Sequence, residues 1–479
     1  MAKLKALAKD TAIYGLSSIV GRFLNYLLVP LYTYTLHSCA DYGIISDLYA
    51  QTALLLVVLT FGMETSFFRF ANKSEEDPRT VFSTALAMVG TVAGAFLLLV
   101  WLLLRPLSAS LGYAATPLYI GIMATIVAMD AVQALLFSLL RYQKRPLRFA
   151  ALKLLFILLS CLLNGLAYAV VPHYWQSWPV TVAYAFIINL ICTTVVMLCF
   201  WPELRQWKPS LVSRPLALRM LRYTWPLLIL GIAGILTQVA GQLMLPRLMP
   251  QAEGRTALGI YGACLKVAMV MAIITQAFRY AYEPLVFAGA KDRNSPQTMA
   301  QVMKYFIIFT LLAFLAVVAW MPVLKYLVGA AYWEGLGIIP LCMVAELLMG
   351  VYFNLSFWYK LTDKTIYGTY FSLAGCVALV LTNLLLIPRC GYWACAWACV
   401  VGSGVCVVLS YAVGRRHYPV PYPLKSIAVY VLLAALFYCT MEWAYALASS
   451  LTLRLLAGNA LLLAFAGHAY WHDIRKRTA

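Results

Sequence analysis

The chain has 479 residues, of which 63% are hydrophobic and only 11% charged, and its net charge is +19. A soluble domain carries about 45–50% apolar and roughly 25% charged residues, so these proportions exclude a water-soluble fold. The positive charge does not point to nucleic acid, because the Lys and Arg residues sit between apolar runs rather than on one soluble face.

In chain order, Met1–Asp10 carries Lys3, Lys5 and Lys9 and leads into an apolar stretch reaching about Tyr34. That stretch is too long for the core of a cleaved signal peptide, and Arg22 and Pro30 interrupt it, so it reads as an uncleaved first span. Further apolar runs lie at roughly 42–69, 80–104, 115–140, 149–171, 180–201, 223–248, 257–288, 298–320, 333–356, 366–388, 391–414, 425–448 and 451–470. About 20 apolar residues at about 1.5 Å each cross roughly 30 Å of hydrocarbon. The pattern predicts an all-α polytopic membrane protein of about fourteen transmembrane helices, with the second and eighth runs long enough to tilt or leave the membrane.

The charges fix an orientation. With the N-terminus inside, 26 of the 36 Lys and Arg residues fall in inside segments and 6 in outside segments, as the cytoplasmic excess of basic residues requires. Arg22, Lys153, Lys266 and Arg279 remain within spans. Both termini are expected in the cytoplasm. The longest inside link, Pro202–Arg222, mixes Leu211, Val212, Leu216, Leu218 and Leu221 with Arg214, Arg219 and Arg222, and is expected to lie as a short amphipathic helix at the headgroups.

An internal repeat organises the spans. A shift of 216 lays spans 7–12 on spans 1–6, with Gly15 on Gly231, Arg22 on Gln238, Pro30 on Pro246 and Asp130 on Glu346. A shift of 219 pairs Asp47 with Lys266, Glu64 with Glu283 and Asn164 with Asn383. Six is even, so the repeat is parallel, and a substrate path between two lobes is expected. The expected organisation is a six-span lobe over 1–201, a linker over 202–222, a second six-span lobe over 223–414, and spans 13 and 14 with the tail over 415–479.

Ionisable groups within spans are costly and tend to face a cavity or each other. Arg22 lies about 12 residues, roughly 18 Å, into span 1, and Ser18, Asn25 and Tyr26 share its face. Lys266 is similarly deep in span 8. Either cation suits a diphosphate or acidic sugar, or else neutralises a buried acid and sets packing. Asp130 and Glu346, near the middle of spans 4 and 10, read equally as sites for a coupling proton or sodium ion and as partners of Arg22 and Lys266. Arg279 and Glu283, one turn apart, are placed to pair, and Glu64 and Lys153 read as interfacial. Gln51, Gln133, Gln238, Gln242, Gln276, Asn164, Asn354 and Asn383 suit sugar hydroxyls or helix packing. Gly90 and Gly94 form a GxxxG that marks close packing within the chain. Cys390, Cys395, Cys399 and Cys406 lack CxxC spacing and read as small packing residues rather than a zinc or disulfide site.

Two stretches carry a family likeness. The first runs from Ala8 to Phe70, with Gly21-Arg22-Phe23, Leu28-Val29-Pro30-Leu31-Tyr32, Asp41-Tyr42-Gly43 and Gly62-Met63-Glu64-Thr65. The second holds Leu361-Thr362-Asp363-Lys364-Thr365, Asn383-Leu384-Leu385-Leu386-Ile387-Pro388-Arg389-Cys390-Gly391-Tyr392 and Tyr418-Pro419-Val420-Pro421-Tyr422. In order, they resemble the polysaccharide-export branch of the multidrug, oligosaccharidyl-lipid and polysaccharide exporter superfamily. Where that family usually shows Gly-Ala-Ala after Gly391-Tyr392, this chain has Trp393-Ala394-Cys395-Ala396.

The resemblance implies a flippase of the bacterial inner membrane, carrying an undecaprenyl-diphosphate-linked oligosaccharide from the cytoplasmic to the periplasmic leaflet. It also implies membrane lipids and polysaccharide polymerase machinery as partners, and spans 13 and 14 flanking a groove for the tail. The substrate-contacting set expected here is Arg22, Asn25, Tyr26, Gln238, Gln242 and Lys266, with Asp130 and Glu346 for ion coupling. No cofactor is expected, since neither HExxH nor a P-loop is present and the five histidines sit near or beyond span ends. Alternatives are a lipid II flippase, an ion-coupled multidrug exporter, and a membrane-embedded polysaccharide polymerase or transferase.

Overall fold

The computed structural model describes residues 26, 28–73, 76–175, 177–288, 295–448 and 450–474. Among these residues the chain is helical and has no strand. Its principal helices, leaving out the shortest turns, are α1 (Leu28–Thr35), α2 (Cys39–Thr60), α3 (Met63–Lys73), α4 (Pro78–Leu102), α5 (Pro117–Tyr142), α6 (Pro146–Gly165), α7 (Ala183–Cys199), α8 (Arg214–Leu248), α9 (Gln251–Ala268), α10 (Val270–Ala288), α11 (Ser295–Ala319), α12 (Ile339–Leu355), α13 (Ile366–Cys390), α14 (Tyr392–His417), α15 (Leu424–Leu447) and α16 (Leu451–Ala469).

Twelve helical stretches among the described residues are long and apolar enough to cross a membrane, and each coincides with a predicted run. The run at 180–201 appears as the shorter apolar helix Ala183–Cys199, and most of the first run lies outside the described residues. The long second and eighth runs are each broken: α2 stops at Phe61 and Gly62, which adopt φ of 35° and 73°, and Met269 separates α9 from α10. Positive φ is readily available to glycine but strained for phenylalanine.

The chain divides into two compact units, 1–259 and 260–479. In the first, α2 packs on α8 and α5, and α5 also receives α4 and α7. Phe67, Phe137 and Phe200 are fully or almost fully buried in its core, with Phe137 edge-on to both Phe149 and Phe200. In the second, α13 pairs with α14, α12 packs on α14, and α11 packs on α15 and α16. This division follows contact, whereas the six-plus-six expectation follows the repeat, and α8 illustrates the difference: it opens the second repeat yet lies in the first unit.

The Pro202–Arg222 link differs from expectation. Its amphipathic part is not a separate surface helix but the first turns of α8, which runs for 35 residues without interruption. Ser213 caps the amide of Leu216, and Pro215 stands in the first turn, where its missing N–H costs nothing. The preceding residues are pinned to α4: Trp207 Nε1 donates to the Ser83 carbonyl (3.2 Å), the Lys208 amide to Ser83 Oγ (3.3 Å), and the Ser213 amide to Thr84 Oγ1 (3.1 Å).

The tight helix crossings also lie elsewhere than predicted. A Cβ on Gly90 or Gly94 would meet nothing within 4 Å among the described residues, so that GxxxG is not a packing face between them. Close approach occurs instead at Gly43 and Gly259, where α2 and α9 cross backbone to backbone. A Cβ on Gly259 would lie 1.8 Å from the Cys39 carbonyl oxygen. Gly259→Ala should therefore lower the melting temperature measured in detergent, at a cost of about 1–3 kcal/mol or more. Gly94→Ala should melt at or slightly above the parent temperature; equal melting of the two variants would refute the crossing.

Candidate functional site

Polar and charged side chains on the spans of the first unit form two groups. The first centres on Asp47, two turns into α2 and 3% exposed. The helix start is fixed by a capping box, in which Ser38 and Asp41 satisfy each other's backbone amides. Asp47 Oδ1 lies 3.0 Å from Arg247 Nη1, while Oδ2 accepts from the Tyr113 hydroxyl (2.7 Å) and Gln51 Nε2 (2.9 Å). Burial and the hydrogen bond to this carboxylate hold the Tyr113 phenol well above its ordinary pKa. Arg255 stacks 4.8 Å over the Tyr113 ring and donates to the Gly112 carbonyl at 2.7 Å; Gln251 donates to the same oxygen at 2.9 Å. Asp47 thus ties α2 to α8 and to the loop before α5, and Arg255 and Gln251 tie that loop to α9.

The second group lies on α3, α5 and α6. Glu64 pairs with Arg141 at 2.9 Å and accepts from Ser138 Oγ at 3.0 Å. Lys153 Nζ sits 4.1 Å over the Phe137 ring, within electrostatic reach of both Asp130 and Glu64. Tyr49 also senses Asp130 and accepts from Asn189 at 3.1 Å. Beyond this group, the fully buried Glu203 receives Arg148 at 2.8 Å.

Several expected ligands are taken up by packing. Asn164 accepts from the Tyr32 hydroxyl at 2.7 Å, and Gln133 donates to the Thr193 carbonyl at 2.9 Å. Asn354 donates to Gly350 of its own helix at 3.0 Å. Asn383 is 1% exposed, and neither of its amide atoms has a partner among the described residues.

Of the expected substrate set, Arg22 and Asn25 lie outside the described residues. Tyr26 is half-buried; Gln238 and Gln242 lie one turn apart on α8, the first exposed and the second half-buried. No hydrogen bond joins Asp130 to either glutamine among the described residues, and the cation of those residues that acts on its charge is Lys153. Lys266 and Glu346 belong to the second unit, both half-buried, and no ion pair joins them among the described residues. Glu346 instead adjoins Cys342 and Cys399, and Cys399 Sγ is 3.9 Å from the Tyr261 hydroxyl. Arg279 stacks 5.1 Å from Phe353 beside a cavity of about 10 Å³, shared with Thr275 and Tyr282. The side chain of Glu283 lies outside the described residues.

The cysteines serve packing where they are buried: Cys406 approaches the Phe371 carbonyl at 3.3 Å, and a Cβ on Gly375 would lie 2.3 Å from its sulfur. Cys390 is exposed. The sequence reading missed Tyr113, Arg247 and Glu203 as network members. Arg247 and Glu203 stand near span ends, where charge is ordinary, and a tyrosine between spans carries no signal of what its hydroxyl meets.

Residues 7–282 match the profile of the family described as polysaccharide biosynthesis protein, more than half of the chain. The chain belongs to that family. As a member of the polysaccharide biosynthesis protein family it is a multi-pass membrane protein, and its fold is that of known exporters. A lipid II flippase, MurJ, in an inward closed conformation is similar with a TM-score of 0.74 at 12% identity, over 96% of this chain and 99% of the other. An inward-facing multidrug resistance MATE transporter of the MOP superfamily gives 0.63 at 14% identity, over 82% and 94%. A Vibrio cholerae MATE transporter gives 0.52 at 14% identity, over 87% and 98%. No curated protein matches the chain in sequence.

Proposed function

We propose that the protein is a flippase that moves an undecaprenyl-diphosphate-linked oligosaccharide, a surface-polysaccharide repeat unit, across the bacterial inner membrane by alternating access. The observation that carries this reading is the polysaccharide biosynthesis family match over residues 7–282, on a chain whose long apolar helices include ionisable residues. Such charges are retained where a polar path must cross hydrocarbon. Arg22 and Lys266, with Asn25, Tyr26, Gln238 and Gln242, are assigned to the diphosphate and sugars. Asp130 and Glu346 are assigned to a coupling proton or sodium ion. Transport of this kind makes and breaks no covalent bond. The termini face the cytoplasm, and the polysaccharide polymerase machinery takes the cargo on the far side.

A second reading, a lipid II flippase, is favoured by the 0.74 TM-score to MurJ, and an ion-coupled multidrug exporter by the MATE likeness. One experiment separates the three. Deletion of the gene followed by mass spectrometry of the lipid extract should show accumulation of an undecaprenyl-diphosphate oligosaccharide that is not lipid II. Accumulated lipid II would establish the second reading. Unchanged lipids with increased sensitivity to cationic drugs would establish the third.

A further inference from the structure

The first unit carries an apolar groove of about 580 Å³, bounded by the end of α2, the middle of α4 and the first turns of α8. Its volume falls in the range of roughly 300–1,000 Å³ typical of small-molecule sites. Val58 of α2 and Phe61 just after it, Thr91 and Val92 of α4, and Leu221 and Trp225 of α8 line it. Trp225 is 61% and Leu221 46% exposed, so these apolar side chains are left open by the protein. Phe61 occupies the strained positive-φ position at the break in span 2, a conformation held by its surroundings.

Two arginines of α8 stand beside the groove. Arg214, Leu218, Leu221, Trp225 and Leu228 recur at intervals of four, three, four and three, so they share one face of α8. Arg214 therefore stands on the groove face about 10 Å before Leu221, at the end that the charge bias places in the cytoplasm. Arg222 lies one turn before Trp225. Both arginines are exposed, and neither makes an ion pair among the described residues, whereas Arg219 between them is engaged by Glu76. An apolar slot with exposed cations on the adjoining turns of α8 fits an amphiphile with an anionic head. The stretch from Leu221 to Leu228 spans about 10 Å along the helix. That length fits within one leaflet of a hydrocarbon layer about 30 Å thick.

We propose that this groove binds one anionic phospholipid of the cytoplasmic leaflet, with a hydrocarbon chain against α2, α4 and α8 and its phosphate on Arg214 and Arg222. Neither the cargo nor the transport reaction enters this assignment. The test is native mass spectrometry of the full chain in detergent, titrated with dioleoyl-phosphatidylglycerol or dioleoyl-phosphatidylcholine. The parent protein should retain the anionic lipid about tenfold more strongly, since each basic side chain near an anionic headgroup contributes a few-fold. Arg214→Gln with Arg222→Gln should abolish that preference while leaving phosphatidylcholine retention unchanged. Thr91→Trp, which fills the groove, should remove the retained phosphatidylglycerol at unchanged melting temperature. If that variant does not fold, the double arginine variant, altered only at exposed side chains, decides. Equal retention of the two lipids by the parent protein would overturn the proposal. So would retention unaffected by a folded Thr91→Trp protein, or displacement of the phospholipid by undecaprenyl phosphate at lower concentration.

Discussion

Asp47→Ala should lower the melting temperature of the purified protein by several degrees. The substitution leaves Arg247, the Tyr113 hydroxyl and Gln51 facing a site that held their common acceptor. Removing one partner of a buried ion pair costs about 3–5 kcal/mol, and because the Arg247 side chain keeps 40% exposure the loss should fall near the lower end. Asp47→Asn should lose less, since a neutral oxygen still accepts from Tyr113. Asp47→Leu combined with Arg247→Met should recover most of the stability, because an apolar pair of similar volume removes both desolvation penalties. Melting of Asp47→Ala at the parent temperature would show that the network contributes nothing. Any step that draws α8 away from α2 must break this pair, so the same variants are informative in transport assays.

On the proposed function, Arg22→Ala should abolish export of the polysaccharide while the protein remains in the membrane at parent abundance. By sequence Arg22 stands about 12 residues into the first apolar run, and a guanidinium within a span is worth its desolvation only where it meets an anion. Arg22→Lys should retain part of the activity: the charge survives, but the two-point contact a guanidinium makes with a diphosphate does not. Surface polysaccharide staining with an immunoblot of the membrane fraction gives the readout. Full export by Arg22→Ala would remove Arg22 from the substrate path. Loss of both export and protein, rescued equally by Lys, would assign it to helix packing.

Particular elements show how far the residues alone reach. Every long apolar helix among the described residues coincides with a run visible by hydropathy, because the bilayer imposes length and composition on each span separately. Pairing and packing behaved differently. Glu64 and Lys153, both read as interfacial, are joined through different neighbours, Arg141 in one case and Phe137 in the other. The glycine spacing at Gly90 and Gly94 looked like a packing motif but meets no neighbour among the described residues, while Gly43 and Gly259, 216 positions apart, meet backbone to backbone. The Cys39-to-Gly259 approach has no local signature, since either residue alone is unremarkable in its helix.

The sequence by itself determined that this chain lives in a membrane, where the twelve long apolar helices of the described residues lie, and which family it resembles. Each of these follows from an interaction between one segment and its solvent, or from short runs of neighbouring residues. Only the tertiary structure decided that Asp47 is held by Arg247, Tyr113 and Gln51, that α8 packs against α2 within one compact unit, and that a groove opens between α2, α4 and α8. Those features depend on the rotation of each helix about its axis and on contacts between residues 200 or more positions apart. A pattern of hydropathy fixes where a helix crosses the bilayer, but in a lipid solvent as apolar as the helices themselves it says little about which face meets which neighbour.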